Sequence, residues 1–267
     1  MAILHSIILG IIQGLTEFLP ISSSAHLNLF PWIFGWENIS EGMDVALHIG
    51  TLLALIIFFF KDWINLIKAG YKQVVKKEKS TDGRIFWYLV LATIPAGILS
   101  LVLDKISDKI IGDNINLEMV IIAITLMVMG IILYIVDKKA KSEVNYENMS
   151  LKQAILIGIS QALAAAFPGV SRSGITMTVG RALKLDREST AKFSFLLATP
   201  ITLAAVIFDL TSFTFNLALI LGILASFLVG LFVIKFLLDY LKKGSFKVFA
   251  IYRVILGIFV ILYAIIV

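Results

Sequence analysis

Residues 7–26, IILGIIQGLTEFLPISSSAH, and residues 155–174, ILIGISQALAAAFPGVSRSG, match at a fixed offset. Gly10 falls on Gly158, Gln13 on Gln161, Leu15 on Leu163, Pro20 on Pro168 and Ser23 on Ser171; the same register carries Thr51 onto Thr199 and Phe60 onto Phe208. A match sustained this far is an internal duplication. In each copy a proline stops an apolar run, because it lacks an amide donor and clashes with the preceding turn, and hydroxyls follow where a new helix would begin. Each copy carries one such motif and three long apolar spans. An odd number of crossings turns the second copy upside down, and inverted repeats place their site at the repeat interface near the bilayer midplane.

Apolar residues make up 59% of the chain, charged residues 15%, and the mean hydropathy is +0.97. With several runs of about 18 or more apolar residues, this is the composition of a polytopic helical membrane protein. The opening AILHSIILGIIQG lacks a basic leader, so a cleaved signal peptide is not expected. The chain has no cysteine, which excludes disulfides and thiolate metal sites, and its three histidines do not make a zinc cage by themselves. The net charge of +5 comes from Lys and Arg in short loops beside apolar spans. That is the positive-inside pattern and points to orientation, not to nucleic acid.

The first repeat covers 1–136, with a motif segment at 1–35 and spans at 43–60, 85–103 and 117–136; the second covers 152–267, with a motif segment at 153–180 and spans at 193–208, 217–238 and 248–267. The loop from Lys61 to Arg84 and the run Lys138, Lys139, Lys141 mark the cytoplasmic side, and the loop with Asp104, Asp108 and Asp113 lies outside. Full crossing by 153–167 would put Arg181, Lys184, Arg187, Lys242 and Lys243 outside. If 153–180 dips in and returns, every basic loop stays inside. The run Ala154 to Phe167 also covers, at 1.5 Å per residue, only about two thirds of a roughly 30 Å hydrocarbon core. The expectation is therefore an all-α membrane domain over 1–267, with six transmembrane helices plus two re-entrant helical hairpins in an inverted-topology repeat.

Non-helical backbone at that depth must be buried or line a watery cavity, so the two motif turns are expected to meet in one cavity. One turn brings Glu17, Ser22, Ser23, Ser24 and His26; the other brings Ser171, Arg172, Ser173 and Gly174. An arginine fork among hydroxyls and helix-start amides suits phosphate. Glu17 could hold a divalent cation or act as a base, or form a structural pair with Arg172. His26, three residues past Ser23, could share its helical face. The nucleophile is left between Ser23, His26 and a water activated by Glu17. His48 is read as a structural partner of Asp44, one turn away, and His5 as an interfacial residue.

QGLTEFLPISSSAH and PGVSRSG together resemble the undecaprenyl-diphosphatase family, the bacitracin-resistance type of integral membrane phosphatase, and the similarity runs on through LDREST and FSFLLATP. The resemblance implies hydrolysis of undecaprenyl diphosphate to undecaprenyl phosphate and inorganic phosphate, recycling the lipid carrier for peptidoglycan synthesis. It implies a divalent cation, Mg2+ or Ca2+, and a site facing the outer side of the bacterial cytoplasmic membrane. By it, the family's essential acid, serine, histidine and arginine fall on Glu17, Ser23, His26 and Arg172, which are expected to be catalytic; from the residues of the two turns themselves, Glu17 is expected at the metal, and Ser22, Ser24, Ser171, Arg172, Ser173 and Gly174 are expected to bind substrate. Gln13 stands where some members carry a second glutamate, and Ala25 where a glycine is usual. Self-association into a homo-oligomer is compatible with this reading. The competing class is a transporter or flippase of phosphorylated prenyl lipids, since paired re-entrant segments in inverted repeats are also transporter architecture.

Overall fold

Helices dominate a computed structural model that describes residues 2–36, 41–112, 115–209 and 216–266. Met1, Asp113 and Val267, which belong to the expected repeats and loop, lie outside the described residues. In the first half, α1 (Ala2–Thr16) and α2 (Ser23–Phe34) enclose a turn at 17–22. There follow α3 (Glu41–Phe58), α4 (Phe60–Val75), α5 (Thr81–Ile111) and α6 (Ile115–Lys139). The second half runs through α7 (Leu151–Ser160), the short α8 (Ala162–Ala166), α9 (Arg172–Ala182), α10 (Arg187–Phe208), α11 (Leu217–Leu241) and α12 (Lys247–Ile266).

Among the described residues five helices, α5, α6, α10, α11 and α12, are long and apolar enough to cross a membrane; a sixth span is reached if α3 and α4, bent by 72° where they meet, count as one. The protein is thus a multi-pass membrane protein, as its composition predicts. The expected Lys61 to Arg84 loop is replaced in its first part by α4, on which Lys61, Lys68 and Lys72 are exposed beside the exposed apolar Ile67, Tyr71, Val74 and Val75. Period 3.6 separates these sets only loosely, and a basic helix of this kind suits a membrane surface. α5 extends beyond the expected 85–103 at both ends, so Asp104, Lys105 and Lys109 lie on helix rather than loop.

The halves pack crosswise. α1 lies along α11, α7 and α8 lie along α5, and α6 packs on α12. Close approach explains the small residues: a Cβ on Gly10 would stand 2.2 Å from the Gly222 carbonyl oxygen, and one on Gly158 2.5 Å from that of Ala92. α10 runs through the middle, with Phe193, Phe195, Leu196 and Leu197 buried against Phe18, Phe59 and Leu89. At the basic end of the bundle, buried Asp137 accepts from Arg181 Nε and Arg187 Nε, both at 2.8 Å, and ties α6 to α9 and α10.

Candidate active site

The first turn is set by α1, which ends as Pro20 approaches. The backbone then enters α2 through Ser22, a non-glycine residue at φ 76°, whose hydroxyl accepts from the Ala25 amide. The second turn repeats this with Ser171 at φ 72°, whose hydroxyl accepts from the Gly174 amide. Each cap serine lies 3.2 Å from the hydroxyl two residues on, Ser24 or Ser173. Left-handed backbone away from glycine costs on the order of 1 kcal/mol or more and persists only where its surroundings hold it. The matched geometry moves the correspondence by one residue from the fixed offset: Ser22 answers Ser171, and Ser23 answers Arg172. The second copy has one more residue between proline and cap, Gly169–Val170 against Ile21 alone.

Glu17 is where the two turns meet. Its Oε2 accepts from Ser23 Oγ at 2.6 Å and from Gln13 Nε2 at 3.2 Å, and its Oε1 accepts from Arg172 Nη2 at 2.5 Å. The side chain is 8% exposed. A carboxylate at this depth is costly unless paired, and the ionic and hydroxyl donors provide the pairing. A third element joins them: His48 on α3 places Nε2 3.4 Å from Glu17 Oε2, while its Nδ1 donates to the Asp44 carbonyl at 2.9 Å. The expected structural pair with Asp44 exists, at 3.6 Å, yet His48 also belongs to the site. Only the approach of α3 to the first turn, 31 residues away in sequence, creates that contact.

A cavity of about 310 Å³ opens on this cluster. Its wall includes Glu17, Ser22, Ser23, Ser24, Asp44, His48, Gln161, Ser171 and Arg172. Arg172 Nη1 is buried there without a hydrogen-bond partner. Glu17, Ser22, Ser23, Ser24, Ser171 and Arg172 are therefore gathered as the sequence predicts.

Three expected residues stand behind the wall instead. Ser173 Oγ donates to the Leu19 carbonyl at 3.0 Å, so it joins one turn to the other. Gly174 spends its amide on Ser171, and a Cβ there would meet Arg253 Nη1 at 2.7 Å, so it gives clearance to that guanidinium. His26 faces α12: its Nδ1 donates to the Ser22 carbonyl at 2.6 Å, its Nε2 accepts from Tyr252 Oη at 2.7 Å, and the two rings stack. Helical positions three apart differ by about 60° in azimuth. That is enough to send Ser23 to Glu17 and His26 away from it. His5 stacks on Trp36 with ring centroids 4.0 Å apart.

Arg253 is the residue that sequence reasoning overlooked altogether. Fully buried on α12, it donates to the carbonyls of Pro20, Gly169 and Val170, at 3.2, 3.0 and 3.0 Å, and to Leu126 on α6 at 3.2 Å. It thus clamps both turns through their backbones. A lone arginine in a terminal apolar span was the available signal, since a buried charge requires such partners.

Among the described residues no group of three or more His, Asp or Glu forms a metal cage. Both oxygens of Glu17 are engaged. At the same wall, Asp44 Oδ1 is buried without a hydrogen-bond partner. This donor set suits a hard cation carried in by phosphate oxygens, the usual habit of Mg2+, better than one held by protein alone.

A family model described as bacitracin resistance protein BacA matches residues 6–259. The chain is similar to the undecaprenyl-diphosphatase of Pelotomaculum thermopropionicum, 46% identical over 267 residues, covering 99% of this chain and 97% of that protein. It is 45% identical to the one from Caldicellulosiruptor bescii, covering 96% of each chain. Identity to that from Moorella thermoacetica is 43%, covering 98% of this chain and 97% of that protein.

Proposed function

The chain belongs to the bacitracin resistance protein BacA family, and on that premise we propose how its own residues act on the family's substrate. The protein is an undecaprenyl-diphosphatase: it hydrolyses undecaprenyl diphosphate to undecaprenyl phosphate and inorganic phosphate, which recycles the carrier for peptidoglycan synthesis and underlies bacitracin resistance. One observation carries the assignment of roles. A serine hydroxyl and an arginine fork share a single buried carboxylate, Ser23 on one oxygen and Arg172 on the other.

Ser23 Oγ is the nucleophile and Glu17 its base. The oxygen attacks the terminal phosphorus while its proton passes to Glu17 Oε2; the bond from phosphorus to the bridging oxygen breaks, and the proton ends on the departing prenyl phosphate. Water then attacks the phosphoserine, gives a proton back to Ser23 Oγ, and inorganic phosphate leaves. Arg172 neutralises charge on the transferred group through Nη1, the guanidinium nitrogen it has free. His48 keeps Glu17 aimed at Ser23. A divalent cation carried in by the phosphate oxygens, with Asp44 Oδ1 as the protein oxygen open to it beside the engaged Glu17, would add charge neutralisation at the phosphate. A transporter needs a phosphate binder but has no use for a hydroxyl held on a base, so the Ser23 to Glu17 contact favours hydrolysis over flipping.

Crosswise packing and the paired serine caps support reading the two halves as inverted repeats, with 1–35 and 153–180 re-entrant and six spans around them. The charge pattern supports a cavity opening to the outer face of the cytoplasmic membrane. Release of inorganic phosphate from undecaprenyl diphosphate by the purified protein, measured with and without Mg2+ or Ca2+, tests the reading. A protein that moves the lipid between leaflets and releases no phosphate would replace it.

A further inference from the structure

Gln161 stands where α7 gives way to α8, 3% exposed and at the cavity wall, and neither its amide nitrogen nor its oxygen has a hydrogen-bond partner. Buried amides are seldom left this way, because burial strips their water without replacing it. The duplication explains how it arose. Its counterpart Gln13 donates to Glu17. The residue matching Glu17 in the second copy is Ala165. The second amide has lost its carboxylate, and the space opened by Ala164 and Ala165 forms part of the cavity. One copy therefore supplies the acid and the hydroxyl, while the other supplies free donors, Gln161 and Arg172 Nη1.

The same wall indicates which end of the substrate lies there. Ser100, Ala165, Ile201 and Ala205 are shared with an adjoining groove of about 370 Å³ between α5 and α10, which continues past Gly97 and Ala204 to Phe208 and is lined by apolar side chains apart from Ser100, Asp104 and Asp209. A prenyl chain leaving the cavity by that groove puts its attached phosphate beside Ala165 and Gln161, and the terminal phosphate beside Ser23 and Arg172.

We propose that Gln161 binds the phosphate that stays on the lipid, donating to it through Nε2, and so makes the site selective for a prenyl diphosphate. The proposal rests on the phosphatase reading above. Its test uses the purified full-length protein and two product inhibitors, a prenyl monophosphate and inorganic phosphate. Gln161→Met keeps the volume and removes the donor. It is expected to raise both the KM for prenyl diphosphate and the inhibition constant for prenyl phosphate by about tenfold, as loss of one hydrogen bond to a charged group would. Inhibition by inorganic phosphate and kcat should stay within about twofold of the wild type. Gln161→Glu, which keeps the polarity and reverses the electrostatics, should weaken prenyl phosphate further, and it serves if the Met variant does not fold. Equal shifts for both inhibitors, or a shift for inorganic phosphate alone, would overturn the assignment. If wild-type protein releases no phosphate, the phosphatase reading fails instead. Gln161 is then judged by prenyl-phosphate stabilisation against heat, and equal stabilisation of wild type and variant overturns it.

Discussion

Ser23 and Arg172 hold corresponding places in the two turns, each the first helical residue after a left-handed cap serine, and they meet on opposite oxygens of Glu17 at 2.6 and 2.5 Å. Two turns of matching cap geometry thus present two different groups to one carboxylate. The matched turns give the same placement, and the difference at a single position gives a hydroxyl in one and a guanidinium in the other.

Arg172→Lys keeps the charge and loses the fork, so a guanidinium that binds both Glu17 and phosphate cannot be replaced in full. The expected loss in kcat/KM is tenfold to a hundredfold, about 1.4 to 2.7 kcal/mol. Steady-state phosphate release from prenyl diphosphate measures it. Unchanged kinetics would show that charge alone suffices at this position.

His48 is expected to matter through Glu17 rather than through substrate. His48→Ala should lower kcat by about tenfold and leave KM nearly unchanged, and in a Glu17→Gln background it should have little further effect. Additive losses in the double variant would separate the two residues.

His26 and Tyr252 form one unit that anchors the Ser22 carbonyl to α12. His26→Phe and Tyr252→Phe should therefore lower activity in parallel, and the double variant should be no worse than the weaker single one. A His26 that acts directly on phosphate would instead cost far more than Tyr252.

Arg253→Met removes the donor from carbonyls of both turns. Hydrogen bonds to a charged group are worth about 1.5 to 3 kcal/mol each, so the half-life of the folded protein in detergent at fixed temperature should fall steeply, with Arg253→Lys between the variant and the wild type.

The long apolar helices and most residues of the cavity wall were legible in sequence because their signals are local: apolar runs, a proline stop, serines beside it. The one-residue slip that pairs Ser23 with Arg172 was hidden, since Ser171 aligns with Ser23 in the register set by the prolines and only the backbone angles at Ser22 and Ser171 show the true match. His48 depends on the approach of a distant helix, which no local pattern announces, and Arg253 was signalled only by its lone charge in an apolar span, not by its partners. His26 was misplaced because three-residue spacing brings side chains near each other on a helix without aiming them at the same target. The helical continuation of α5 past Leu103 went unseen because Asp104 and Lys105 read as a loop when only hydropathy is weighed.

The absence of cysteine makes orientation testable with single substitutions at exposed positions. An impermeant thiol reagent on intact cells should label cysteines at Lys109 and Asn216 and spare those at Asn145 and Lys243, all of which are exposed on the structure. The reverse pattern at Asn216 and Lys243 would mean that residues 153–167 cross fully, and the inverted re-entrant arrangement would fall.

Attack by Ser23 on the terminal phosphorus is the centre of the proposed mechanism, and rapid quenching with terminally labelled prenyl diphosphate tests it most directly. Ser23 on its base predicts an acid-stable phosphoserine that forms before steady state, maps to Ser23, and disappears with turnover in Ser23→Ala. An acid-labile adduct that survives in Ser23→Ala and vanishes in His26→Ala, or solvent oxygen entering phosphate with no adduct at any time, would contradict it.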